Sequence, residues 1–256
     1  MATRPAKIPL WATLDRAFEI TFDNVRPALR IAGPWAAVAF VLVGAIHWLL
    51  AGWRSDGFFD PPALLAFLVS LIAGCSIAVG WHRLFLLEET AGSVPYLRLD
   101  TVVLRYAGTV AAIFLLPVVP LHILDWLGAP MNVNLARGGD QAWWGLALLA
   151  YMVTTVVAIV RAAIGLAGLA IGTPPALAEV WDRTSSNSFR LLFGAAFACL
   201  PLGVSLALVE MWGPGRSTPV RFALTEATSE AVNLIFSVVL VAFLSLAYRQ
   251  LFGDRD

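Results

Sequence analysis

The chain has 256 residues, of which 59% are hydrophobic and 13% charged, and its mean hydropathy is +0.79. A soluble domain carries about 25% charged residues, so the composition excludes a soluble enzyme, a disordered tail and a disulfide scaffold. Lys and Arg balance Asp and Glu at 17 each, which leaves no bulk field to attract nucleic acid.

Residues 1–30 read as an amphipathic helix suited to the membrane surface. Leu10, Leu14, Phe18, Phe22, Val25 and Leu29 recur at spacings of three and four, with Asp15, Arg16, Glu19, Asp23, Arg26 and Arg30 mostly on the other face. Pro27 is expected to end this helix. No apolar run with a small-residue cleavage site precedes Gly33, so the first apolar segment is expected to stay in the membrane. A helix crossing about 30 Å of hydrocarbon needs about 20 mainly apolar residues. Residues 31–252 supply six such segments, near 33–53, 62–80, 106–126, 143–160, 191–212 and 231–248. Trp or Tyr stands at or near one end of nearly all of them (Trp53, Trp81, Tyr106, Trp126, Trp143, Trp212, Tyr248), as interfacial rings do. Twelve Lys and Arg residues, thirteen with Arg161, fall on the side of both termini and four on the other. That bias places both termini in the cytoplasm. The expected fold class is an all-α integral membrane protein with six transmembrane helices and interfacial amphipathic helices on the cytoplasmic side.

The chain also reads as three repeated hairpins. The odd-numbered segments follow charged stretches that start at Pro9, Pro95 and Pro175, and Pro fits the first turn of a helix. The even-numbered ones end in Trp81-His82-Arg83, Val160-Arg161 and Tyr248-Arg249. The stretch from Pro175 to Arg190 repeats the N-terminal theme with Leu177, Val180, Trp181 and Phe189, and its Asp182-Arg183 echoes Asp15-Arg16. Three units of surface helix plus hairpin would pack around a pseudo-threefold axis. The competing reading is that cytoplasmic ends simply carry Arg.

The run Ser76-Ile77-Ala78-Val79-Gly80-Trp81-His82-Arg83, the stretch Pro175-Ala176-Leu177-Ala178-Glu179-Val180-Trp181-Asp182-Arg183 and the closing Leu246-Ala247-Tyr248-Arg249 resemble bacterial six-span inner-membrane proteins. Among these is the family of membrane domains associated with glycerophosphodiester phosphodiesterases. The resemblance implies a membrane protein without the catalytic residues of the soluble phosphodiesterase domain.

Ionisable groups inside a membrane are expensive and are candidate functional residues. His47, His122, Asp125 and Glu210 lie at one level near the outer leaflet, where they would either bind a divalent metal or haem or act as wet interfacial residues. On the last segment Glu226, Glu230, Asn233, Ser237 and Ser245 follow helical spacing, and Arg249 closes the line. Such a stripe faces protein or a water-filled cavity, as a solute path or as interhelical hydrogen bonding. Pro117 and Pro120 are expected to break the third span, and Pro201 stands mid-span in the fifth. Gly165, Gly168 and Gly172 suit close helix packing, as do Cys75 and Cys199, which lack metal-ligand spacing. Walker, His-Glu-x-x-His, Gly-x-Ser-x-Gly and dinucleotide motifs are missing, so neither catalysis nor a cofactor is expected. The leading expectation is an accessory or structural inner-membrane protein that organises lipids, a protein partner or a second copy. The alternatives are a small-solute or lipid transporter using the polar stripe, and a metal or haem site.

Overall fold

The computed structural model describes residues 7–53, 60–89, 96–126, 140–213 and 216–253, with side chains except at 121–126 and 140–142. Among these residues the chain is helical, without strands: α1 (Leu10–Asp23), α2 (Val25–Leu49), α3 (Pro61–Leu86), α4 (Thr101–Trp126), α5 (Asp140–Ala170), α6 (Leu177–Thr184), α7 (Ser188–Ala198), α8 (Leu200–Trp212) and α9 (Pro219–Phe252). Local chemistry sets the starts. The Asp60 carboxylate accepts from Ala63 N at 3.1 Å and the Thr218 hydroxyl from Arg221 N at 3.3 Å, each followed by Pro in the first turn. Asp100 accepts from Val102 N and Val103 N at 3.1 and 3.0 Å and opens α4.

Six helical stretches are long and apolar enough to cross a membrane: α2, α3, α4, α5, the run α6–α8, and α9. The chain is a multi-pass α-helical membrane protein. Its helices outrun the apolar segments read from sequence. α5 has 31 residues and α9 has 34, about 46 and 51 Å at 1.5 Å per residue. Arg161, expected at the end of a span, therefore lies inside α5. It is buried there, donates to the Thr184 hydroxyl at 2.9 Å and stacks 3.9 Å over the Trp181 ring, tying α6 to α5.

α9 is the core helix. It packs against α1, α2, α3, α5, α7 and α8, and 56% of its apolar window is buried against 11% for α5. α7 comes close to it at Gly194, where a Cβ would lie 2.1 Å from the Phe243 ring. The first and last described segments meet at one end of the bundle, the terminal end. Ile8 N donates to Asn187 Oδ1 at 2.9 Å, Arg190 donates to Ile8 O at 3.1 Å, and Gln250 donates to the Thr13 hydroxyl at 3.0 Å.

Several expectations change. The first helix stops at Asn24 rather than running to Arg26, and Pro27 sits harmlessly in the first turn of α2. Its buried face is Thr13, Leu14, Ala17 and Thr21, while Phe22, Val25 and Leu29 stay exposed. Small side chains let α1 approach α9 closely beside Leu14, while Leu10 and Phe18 pack against the core and Trp11 and Phe22 are left exposed to a lipid environment. The middle repeat has no surface helix among its described residues, since 96–99 are non-helical, and Pro95 lies outside the described residues. The Asp-Arg echo is not structural either. Arg16 pairs with Glu19 on the surface at 2.6 Å, whereas Arg183 pairs with Glu179 at 3.0 Å and lies over Phe252. What does recur is an aromatic pair one turn apart, Trp81–Phe85 at 5.0 Å and Tyr248–Phe252 at 4.9 Å.

Pro117 and Pro120 do not break the third span, and α4 runs through both, as membrane helices tolerate when neighbours meet the freed backbone groups. The Tyr151 hydroxyl donates to Pro117 O at 3.0 Å, which ties α5 to α4 beside these prolines, although it is not one of the carbonyls they free, Ile113 O and Leu116 O. Pro201 does mark a break, at Cys199 between α7 and α8. Gly165 and Gly168 are closely packed, with a Cβ placed 3.1 Å from Val180 and 2.6 Å from Pro175 respectively. Gly172 instead ends α5 with φ +85° and open space around it, and Thr173 N reaches back to Gly168 O at 2.9 Å.

Candidate functional site: a cavity along the core helix

A cavity of about 840 Å³ lies among α2, α3, α4, α5, α7, α8 and α9. Along α9 its lining runs from Phe222 to Leu244, about 33 Å of helix, which matches the hydrocarbon thickness of a bilayer. Its depth can be read from the packing. A Cβ on Gly74, at the middle of α3, would lie 3.7 Å from Leu234, at the middle of α9, so the two helix centres are level. Taking that level as the midplane, Glu230 lies about 8 Å from it, away from the terminal end, and Glu226 about 14 Å.

The polar lining gathers at the end away from the termini. It comprises His47 of α2, Asp60 and Ser70 of α3, and Glu226, Ser229, Glu230 and Asn233 of α9. Towards the terminal end the walls are mainly apolar, with Val110 and Ile113 of α4, Ala163 of α5 and Leu244 of α9. The Glu230 carboxyl faces the Ser70 hydroxyl and the Asn233 amide. Its Oε1 is buried and has no hydrogen-bond partner among the described residues.

At the polar end Arg216 forms a clasp. Its guanidinium reaches Glu210 at 2.6 Å and Glu226 at 2.7 Å and lies 5.2 Å over the Phe222 ring, whose other neighbour is His47, edge-on at 5.3 Å. The hydrogen bond to Glu210, with the charge of Glu226, holds this guanidinium above its ordinary range, so it stays cationic. At the terminal end the Tyr106 hydroxyl, which lines the cavity, stands 3.2 Å from His82 Nε2, and His82 Nδ1 stands 2.8 Å from Ser245 Oγ. Ser245 Oγ also stands 2.8 Å from Val241 O, and the tautomer in which His82 donates from Nδ1 and accepts from Tyr106 at Nε2 satisfies all of these groups at once. This buried chain ties α3, α4 and α9 together beneath the cavity.

Of the residues singled out from sequence, the structure brings Glu226, Glu230, Asn233 and His47 to one cavity. Ser237 does not join them. Its hydroxyl bonds back to Leu234 O at 2.9 Å, and the stripe ends at Asn233. His47 and Glu210 are linked through Phe222 and Arg216 rather than by a shared ligand position. His122 and Asp125 fall in α4, outside the described side chains. Among the described residues no three His, Cys, Asp or Glu stand together as a metal-binding group. Sequence reading missed Ser70, Arg216 and the Tyr106–His82 pair. Ser70 breaks an apolar run one turn before Gly74, and that interruption was the available signal. The motif Ser76–Arg83 behind the family resemblance proves to be largely packing, since Ser76, Ile77, Val79, Trp81 and His82 are all buried.

The chain matches no protein-family model, no curated protein and no solved structure.

Proposed function

We propose that the chain takes an elongated, mainly apolar solute into the α9 cavity and carries it between the two faces of the membrane. The observation behind this reading is the path itself, about a bilayer long, polar at one end and apolar at the other. Interhelical hydrogen bonding accounts for only part of the stripe: Glu230 faces Ser70 of α3, yet its Oε1 has no partner among the described residues, and Glu226, Glu230 and Asn233 all line the cavity. The accessory role expected from sequence gives that space no task, and no catalytic step is proposed. The same reading sets the protein in a bacterial inner membrane. The excess of Arg at the terminal end favours cytoplasmic termini, with the polar end of the cavity towards the outer leaflet.

Flux across a bilayer tests the proposal. Proteoliposomes containing single-chain lipids with a dithionite-quenchable fluorophore, carrying in turn amine, choline and phosphate headgroups, should lose the protected fraction faster than protein-free vesicles for at least one probe. Ala163→Trp, which fills the cavity, should remove the acceleration, while Leu146→Trp on the exposed face of α5 should keep it. Equal rates with and without protein for all three probes would overturn the carrier reading.

A further inference from the structure

We propose that the ligand of this cavity is an amphiphilic organic cation, a protonated long-chain amine or quaternary ammonium, with its head on Glu230. The proposal rests on the carrier reading and deepens it. Among the described residues three carboxylates line the cavity, from Asp60, Glu226 and Glu230, and no Lys or Arg does. Asp60 is engaged in capping α3, and Arg216 occupies Glu226 and Glu210 at the polar end. Glu230, one turn deeper, forms no salt bridge among the described residues; it faces the neutral Ser70 and Asn233 and feels the like charge of Glu226. A carboxylate about 8 Å from the midplane is costly to hold without a counter-charge, and a bound cation would supply one. A bare metal ion needs several ligands converging on it, and no such group stands among the described residues. The rest of the space suits a tail. From Glu230 to Leu244 the cavity follows about 21 Å of helix between apolar walls, ending at Tyr106. An anionic headgroup would meet like charge at every carboxylate, and a neutral one would leave Glu230 as it is.

Equilibrium binding to the purified full chain in nanodiscs of zwitterionic lipid separates these cases. Dodecylamine and dodecyltrimethylammonium should bind at least about tenfold more tightly than dodecanol, with dodecyl sulfate weakest. Glu230→Gln should lower the two cations to the level of dodecanol and leave dodecanol unchanged. Glu19→Gln on the surface of α1 should change nothing. The wild-type ranking is decisive even if Glu230→Gln fails to fold. Equal affinity for cations and alcohol, preference for the sulfate, or a folded Glu230→Gln with undiminished cation binding would each overturn the inference while leaving the carrier reading intact. Failure of all four probes to bind, or binding indifferent to Ala163→Trp, would overturn both.

Discussion

Arg83 leaves the end of α3 and serves two partners: its guanidinium donates to Ala170 O at 3.1 Å and its Nε to the Glu89 carboxylate at 2.7 Å. That second hydrogen bond, with the guanidinium charge, holds the Glu89 carboxyl below the usual carboxylate range. A depressed folded-state value means a stabilisation present above the unfolded-state value of about 4.3 and lost as pH falls through the folded one. Glu89 is nearly half exposed, so solvent screens the pair and the effect is small. Glu89→Gln should lower the melting temperature slightly at neutral pH in detergent, and the difference should vanish as pH is taken towards about 2. A constant difference across that range would mean that Glu89 acts through packing. The residues that matter most for the cavity obey the same logic of partners. Glu230 was legible because spacing of three and four puts it on a line with Glu226 and Asn233. Arg216 was not, because its role depends on a loop bringing α8 and α9 together, which one helix's periodicity does not carry.

At the scale of elements, the six spans were legible because hydropathy over about 20 residues answers to the bilayer rather than to a partner helix. Helix ends were not: Arg161 marks an apparent end of the fourth span although the apolar residues 162–170 continue α5, and the polar extension of α9 over 219–230 carries no apolar signal. The buried side of α1 was legible in part. Periodicity marked Leu14, which is buried, and Leu10 and Phe18, which pack against the core, but not Thr13, Ala17 and Thr21 beside them, because close approach as well as apolar area governs packing between membrane helices. Glycines test that rule directly. A Cβ at Gly194 would lie 2.1 Å from the Phe243 ring of the core helix, whereas at Gly203 of α8 it would meet nothing within 4 Å. Gly194→Ala should therefore cost about 1–3 kcal/mol or more through overpacking. Gly203→Ala should be neutral or gain up to about 1 kcal/mol from helix propensity. Thermal or denaturant unfolding of the two variants in one detergent reads the contrast, and similar losses in both would mean that α7 does not depend on close approach to α9.

For the whole molecule, the cavity predicts a gradient of water access along a single helix. Ser229 and Asn233 line the polar end, Ser237 turns its hydroxyl onto its own backbone at Leu234, and Ser245 is buried in its bond to His82. With Cys75 and Cys199 replaced, single cysteines at these four positions report that gradient through the rate of reaction with a membrane-impermeant methanethiosulfonate. Ser229→Cys should react fastest and Asn233→Cys more slowly, because water entering past the Arg216 clasp reaches the polar lining before the apolar walls. Ser237→Cys should be protected, since it lies off the cavity, and Ser245→Cys, beneath it, should be protected from reagent entering at the polar end. The side of attack carries the orientation as well. With cytoplasmic termini, reagent added outside intact cells should reach positions 229 and 233, while inside-out vesicles should shield them. Protection of both positions from both sides would mean that the polar stripe is sealed from water, and the carrier reading would fall with it. Reaction at Ser245→Cys from the terminal side in the same preparation would instead mean that the Tyr106–His82–Ser245 chain opens, so that the cavity is reached from alternate faces as carriage across the membrane requires.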